Sequence, residues 1–472
     1  MPFAPNSPVS NADLAEYTPK LEALARDQGL DFYPVDFEVV PPSFMMEVAV
    51  YGLPVRMPHW SFGVRYIYPY IQHRMGHSRI FEVVFPGNPN RAYLVNNNSL
   101  AENTLVTAHV LGHADFSKNN ELFARMQSQV GYHIVEQAAE RAHRIEEAIG
   151  DHGQKRVEAV LDAALALEQN IDVNFAINRP EYPERMERRR AEDERPRSGF
   201  QGRFGQLPGE EDAHGTEPER GGGRAPIPPR AEYDLLWFIA HYAPDLEGWE
   251  QDIFLSVREE SFYFYPVFGC QIMNEGWASY WHARLLREAD FLPQQLYLDA
   301  IRAHSDVVRP YAGEDSVALS INPYHVGFRM WERIIAEHGL ETALRLRAEE
   351  DDFSFVRNWL DEDLADELQL FSYTTRQGRG GEEQYVIQER DIHALREAIL
   401  HPKFNYGAPR VYVAEMGTDG SLLLRHDYVT DGRGLDLDRA QKVLDYVHRV
   451  WRRPVRLETV DAKGQPQVVE KS

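Results

Sequence analysis

Residues 179–230 constrain the fold more than any other feature of the chain. This stretch holds 11 Arg and 11 Asp+Glu, repeated prolines, the run Gly221-Gly222-Gly223 and almost no aliphatic side chain. Such a segment buries too little apolar surface to offset the entropy of ordering it. It reads as a flexible zwitterionic insertion between two folded parts. Its charges cancel, so the formal net charge of −24 on 472 residues belongs to the rest of the chain. That acidity argues against general nucleic-acid binding, which depends on counterion release by Lys and Arg. It argues equally against docking on an anionic membrane. No stretch approaches 18 apolar residues, so no membrane-spanning helix is expected. The N-terminal residues show no basic region followed by an apolar run, and the expected location is the cytoplasm. Cys270 is a single cysteine, which leaves no disulfide framework and no multi-cysteine zinc site.

On both sides of the insertion the pattern is mainly helical. A first helix is expected over 11–29, capped by Asn11, ended by Gly29 and interrupted or kinked at Pro19. Residues 30–98 are mixed: Phe37-Glu38-Val39-Val40 precedes Pro41-Pro42, a strand-like run at 79–85 can pair with 91–95 as a hairpin, and a small mixed sheet is expected. Ser99-Leu-Ala-Glu102 matches a capping box and starts a further helix. A long helical tract covers 120–170, and helices return at 232–264, 274–291, 294–304, 325–338 and 340–350. A loop is expected near 375–384. Beyond it come helix 391–400, strand 410–416, strand 421–428, helix 436–451 and strand 455–460. The expected class is α+β, predominantly helical. A large helical domain over 1–374, carrying the insertion, precedes a small α+β domain over 385–472.

Several short stretches carry chemistry-bearing residues. His109-Val-Leu-Gly-His113 places two imidazoles one turn apart on a helix face, a spacing that lets both reach one metal ion. Val110 stands where the H-E-x-x-H zincins have their general-base glutamate. In Asn274-Glu275-Gly-Trp-Ala-Ser279-Tyr-Trp-His282, residues Glu275, Ser279 and His282 share a helix face. Two imidazoles and one carboxylate suit zinc with a position left for water. They also describe iron or manganese sites, so another divalent metal stays open. The competing reading is an amphipathic core helix packed through Trp277 and Trp281. In Arg258-Glu259-Glu260-Ser261, Glu259 or Glu260 can replace the base missing at Val110, or the pair is merely a charged face. In Asn322-Pro-Tyr324-His325, Tyr324 or His325 can stabilise an oxyanion, or the stretch is a plain helix start. Leu53-Pro-Val-Arg56-Met-Pro-His59-Trp60 is a stiff loop whose Arg56 can grip a carboxylate. Glu140-Arg-Ala-His143 is half of a di-iron signature without a second copy, and is set aside.

Taken together, four stretches resemble the stage V sporulation protein R (SpoVR-like) family. They are Tyr51-Gly-Leu-Pro-Val-Arg-Met-Pro-His-Trp-Ser-Phe-Gly63, His109-Val-Leu-Gly-His-Ala-Asp-Phe-Ser-Lys-Asn-Asn120, Met273-Asn-Glu-Gly-Trp-Ala-Ser-Tyr-Trp-His282 and Asn322-Pro-Tyr-His-Val-Gly-Phe328. The resemblance runs from near residue 12 to the C-terminal domain. It implies a role in bacterial sporulation, in forming spore cortex peptidoglycan. In bacteria that make no spores it implies a stress role beside a serine protein kinase and a small partner protein.

Two readings follow. In the first the chain is a zincin-like, zinc-dependent amidase or peptidase acting on a peptidoglycan-related substrate. His109, His113 and Glu275 hold the metal, Glu259 or Glu260 is the base, and His282 is an outer ligand partner or an alternative ligand. In the second it is a non-catalytic regulatory or scaffold protein working with the kinase and the small protein.

Overall fold

A computed structural model describes residues 14–62, 82–179, 181–182, 226–307, 322–368, 370, 372–377, 383–389 and 391–472. Asn11 and most of the 179–230 insertion lie outside the described residues. The fold is α+β and predominantly helical, with small sheets. The chain divides into two compact units. One comprises residues 1–161 and 252–408, the other residues 162–251 and 409–472.

In the first unit the central element is the helix Leu100–Asn119, here called the histidine helix. Its start follows from the capping box. Ser99 Oγ accepts from the Glu102 backbone N–H at 3.2 Å, and Glu102 accepts from the Ser99 N–H at 2.6 Å. Every residue from Asn103 to Ser117 is buried. A helix enclosed on all sides normally carries apolar residues all round. This one buries Asn103, Thr107, His109, His113 and Asp115 as well, so each needs a partner.

Two glycine contacts set how closely its neighbours approach. A Cβ on Gly112 would lie 2.7 Å from Cα of Ala278, on the helix Gln271–Glu288 (the glutamate helix). A Cβ on Gly276 would lie 2.2 Å from the backbone carbon of Gly327, on the helix Pro323–Glu349 (the tyrosine helix). Only hydrogen side chains permit backbone approach of this kind. Asn322 caps the tyrosine helix through the Tyr324 N–H at 3.0 Å, and Gly339, at φ 82°, breaks it. That break falls where the sequence separates 325–338 from 340–350. Trp277, Trp281 and Trp331 fill the core beside these helices.

Of the expected helix 11–29, the described residues hold the helix Thr18–Asp27, with a turn at 15–17 before it. Pro19 lies in the helix's first turn, where its missing N–H costs nothing, so of the two outcomes expected at Pro19 the interruption holds rather than the kink. The three-stranded sheet has the order Val35–Val40, Asn90–Val95, Glu82–Phe85; the first pair is parallel and the second antiparallel. Arg56 does grip a carboxylate: its Nε donates to Glu260 at 2.7 Å. At both ends of the expected loop near 375–384 the described residues are paired strands, Ser372–Gln377 with Glu383–Glu389; residues 378–382 lie outside the described residues.

The second unit holds a four-stranded sheet, Val411–Met416, Leu422–His426, Val455–Val460 and Pro466–Lys471. The central pair is parallel, and the helix Leu437–Trp451 lies between its strands in sequence. Both ends of the expected insertion are built into this unit. Arg179 donates to Glu232 at 2.8 Å and to Asp234 at 2.9 Å, Tyr182 stacks on Tyr242, and Ile227 bridges to Met416.

Candidate metal centre

The histidine and glutamate helices bring His109, His113 and Glu275 together. Their ligand atoms all lie within 4.8 Å of one another. His113 Nε2 is 3.0 Å from His109 Nε2, and Glu275 Oε2 is 3.4 Å from His113 Nε2 and 3.6 Å from His109 Nε2. A tetrahedral ion with ligands at about 2.0–2.1 Å sets its ligand atoms roughly 3.3–3.4 Å apart. The three observed separations bracket that value. Glu275 Oε2 is buried without a hydrogen-bond partner, although both imidazoles face it. The donor set and this orphaned oxygen fit a divalent metal ion.

The causes can be read from the sequence upward. His109 and His113 share a face because they are four residues apart. Gly112, between them, lets that helix close on Ala278, less than one turn beyond Glu275. Gly276, next to Glu275, meets Gly327, less than one turn beyond Tyr324. The tyrosine ring consequently stacks on His109 with centroids 6.1 Å apart.

Each histidine of the cluster is oriented by a further polar group. His113 Nδ1 lies 2.9 Å from Asn274 Oδ1. His109 Nδ1 lies 2.9 Å from His282 Nδ1, and His282 Nε2 lies 2.5 Å from His304 Nδ1. Such partners hold a ligating ring in place and select its tautomer.

The electrostatics are strongly coupled. Burial pushes the Glu275 carboxyl up, but His113 and His109 outweigh it and hold the group at about 2. Burial would lower His113; the charge of the adjoining Glu275 carboxylate and the hydrogen bond with Asn274 overcome it and raise the group. Burial, then His109 and His304, pushes His282 well below the ordinary range. His304 is lowered to about 4 by burial, His109 and Arg287. The Glu275 charge, then burial, raises the Tyr324 phenol well above its ordinary value.

The remaining sequence candidates fall as follows. Glu259 pairs with Arg141 at 2.5 Å and Glu260 with Arg56 at 2.7 Å, and neither belongs to the three-residue cluster. His325 is half-buried in the first turn of the tyrosine helix, beside Tyr324. His143 pairs with Glu147 on the surface. A residue that sequence reasoning missed is Glu82. It opens the strand Glu82–Phe85, and its Oε1 lies 3.9 Å from His109 Nε2. Burial raises its carboxyl, against the pull of His109 and His113. Nothing local marks it, since a lone Glu in a strand-like run has no motif; the packing of that strand on the histidine helix brings it to the histidines.

Two histidines from one helix, a glutamate from a second, and outer partners that orient both rings define a helical α+β protein with a candidate mononuclear metal centre. The chain belongs to the SpoVR family: the family described as "SpoVR like protein" matches residues 9–407, and "SpoVR-like C-terminal domain" matches residues 410–462. It is 28% identical over 496 residues to "Uncharacterized protein YcgB" of Escherichia coli (strain K12), covering 96% of this chain and 93% of that protein. No solved structure matches it.

Proposed function

We propose that the chain is a zinc-dependent hydrolase of amide bonds whose metal is held by His109, His113 and Glu275. The observation that carries this reading is the convergence of two Nε2 atoms and a carboxylate oxygen without a hydrogen bond of its own, at near-tetrahedral separations. The H-x-x-x-H spacing with a carboxylate from a second helix is the ligand arrangement of zincins. Bound zinc supplies a water with a pKa of about 7 and polarises a carbonyl. Manganese or iron(II) suits the same donors.

The chain's own residues supply the rest. Val110 is fully buried, so no base comes from its position. Glu82 is the carboxylate beside the histidines, and it takes the proton-accepting role first assigned to Glu259 or Glu260. Tyr324, kept protonated by the neighbouring Glu275 charge, is the hydrogen-bond donor for a developing oxyanion. We assign the substrate class as a peptide or amide bond in a peptidoglycan precursor, within a sporulation or stress programme.

Elemental analysis of purified protein tests this. One zinc per wild-type chain and none in His109→Ala/His113→Ala is expected. Equal, substoichiometric metal in both would end the proposal.

A second reading is favoured by the burial of His109 and His113, only 3% and 9% exposed. In it the cluster is a closed structural element of a regulatory protein. Its partners are a serine protein kinase and a small associated protein. A folded His109→Ala variant that complements a deletion strain, and still recovers those partners in a pull-down, would select this reading.

A further inference from the structure

We propose that His282 and His304 are positioning residues of the candidate metal centre, forming a directed hydrogen-bond string that fixes which nitrogen His109 turns to the metal. The inference rests on the metal-binding reading above, but not on the reaction assigned to it.

A neutral imidazole has one N–H donor and one lone-pair acceptor. Around this cluster each ring constrains the next. Asn274 Oδ1 accepts a hydrogen bond from His113 Nδ1–H at 2.9 Å, which leaves the His113 Nε2 lone pair facing Glu275. His109 must also present Nε2 to the shared point, so its proton belongs on Nδ1. That N–H points at His282 Nδ1, 2.9 Å away, which therefore accepts. His282 then carries its own proton on Nε2 and donates to His304 Nδ1. The string runs outward through three rings on three helices. It starts on the histidine helix, crosses the glutamate helix and ends on Gln294–Val307.

The same geometry separates His282 from the ligands. It meets His109 at Nδ1, whereas His113 and Glu275 meet it at Nε2, and the two nitrogens of one imidazole point in divergent directions. Both His282 nitrogens are engaged, one with His109 and one with His304, and the residue is fully buried. His282 orients a ligand and does not touch the ion.

Zinc affinity measured by competition with a chromophoric chelator, on the full chain, tests the string. His282→Ala is expected to bind zinc 10–100-fold more weakly, the usual cost of losing an outer partner of a ligating histidine. His282→Gln restores most of that loss, because its side-chain carbonyl accepts from His109 Nδ1–H. His304→Ala, one hydrogen bond further out, loses less than His282→Ala, and His304→Gln recovers it. Visible spectra of the cobalt(II)-loaded proteins keep the wild-type band positions in all four variants, since no ligand has been removed. Circular dichroism without metal checks that each variant folds; if His282→Ala does not, the His282→Gln and His304 variants carry the test. Wild-type affinity in His282→Ala, or a cobalt spectrum altered as for a lost nitrogen ligand, would overturn the proposal while leaving the metal centre standing. A wild-type chain that binds no zinc would remove both.

Discussion

Two buried polar clusters share the histidine helix, and they are built on opposite principles. Asp115 is fully buried, and its oxygens meet donors from four directions. Arg347 Nη1 lies 2.7 Å from both, Trp277 Nε1 donates at 2.8 Å, the Asp31 N–H donates at 2.8 Å, and Asn119 reaches one oxygen at 3.5 Å. Donors and acceptors alternate there, and the network ties the histidine helix to the glutamate and tyrosine helices. Two residues earlier, His109, His113 and Glu275 turn acceptor-bearing atoms toward one point, and Glu275 Oε2 finds no hydrogen bond. Burial of polar groups is common to both. Convergence of lone pairs, against alternation of donor and acceptor, distinguishes a site from a strut.

The most forceful way to break this comparison is at Arg347. Arg347→Ala leaves the Asp115 carboxylate buried without its cation, and removal of one member of a buried pair costs roughly 3–5 kcal/mol. Urea unfolding of the metal-free protein measures it. Replacing both members with apolar residues, as in Asp115→Leu/Arg347→Met, is expected to cost less than Arg347→Ala alone. A loss below about 1 kcal/mol in Arg347→Ala would mean that Asp115 is no more a strut than an exposed ion pair.

A smaller effect is expected at Gly112, where the comparison is sharpened. Gly112→Ala drives a methyl group to 2.7 Å from the Ala278 backbone, so one helix must shift. Overpacking of this kind costs about 1–3 kcal/mol. Because Ala278 follows Glu275 on the same helix, the shift also separates the carboxylate from the histidines. Zinc affinity should therefore fall together with stability. A variant that loses stability but keeps wild-type zinc affinity would show that the cluster does not depend on this contact.

Much of this was legible in the residues themselves. The capping box located the histidine helix because Ser99 and Glu102 satisfy each other locally. The i,i+4 spacing placed His109 and His113 on one face, and Gly339 broke the tyrosine helix where a periodic reading divides it. Arg56 found its carboxylate, but which one was decided by helix packing 204 residues away. What stayed hidden depends on approach between distant segments. Glu82 reaches the histidines only because its strand, whose pairing with 91–95 was expected, also packs on the histidine helix, a contact no local pattern announces. The pairing of Ser372–Gln377 with Glu383–Glu389 was hidden by the Gly-rich sequence between them, and Pro466–Lys471 by a proline and too short a pattern. The partner of Asp115 lies 232 residues along the chain, beyond any local signal.

A third buried carboxylate carries the smallest predicted effect and sharpens the contrast in sign. Asp352, on a separate helix, caps the glutamate helix by accepting from the Ile272 and Met273 N–H groups, both at 3.0 Å, and Lys403 Nζ lies 3.1 Å away. Burial raises its carboxyl to about 6, and the lysine and backbone donors only partly oppose that. Glu275, half-buried and flanked by two imidazoles, is held at about 2. Because the folded-state value of Asp352 lies above its ordinary 3.8, the folded chain binds more protons at this group than the unfolded chain between those values. The group's contribution to stability is complete below about pH 3.8 and is lost as pH rises through about 6. Asp352→Asn removes that dependence. The stability of wild type relative to the variant should fall with rising pH across this window, by at most about 1.4 kcal/mol per pH unit, and be flat above it. Thermal unfolding at closely spaced pH values reads the slope. A difference that grows with pH would mean that Lys403 dominates burial at Asp352. This carboxylate would then be a matched strut like Asp115, and capping of the glutamate helix would draw on its charge at neutral pH.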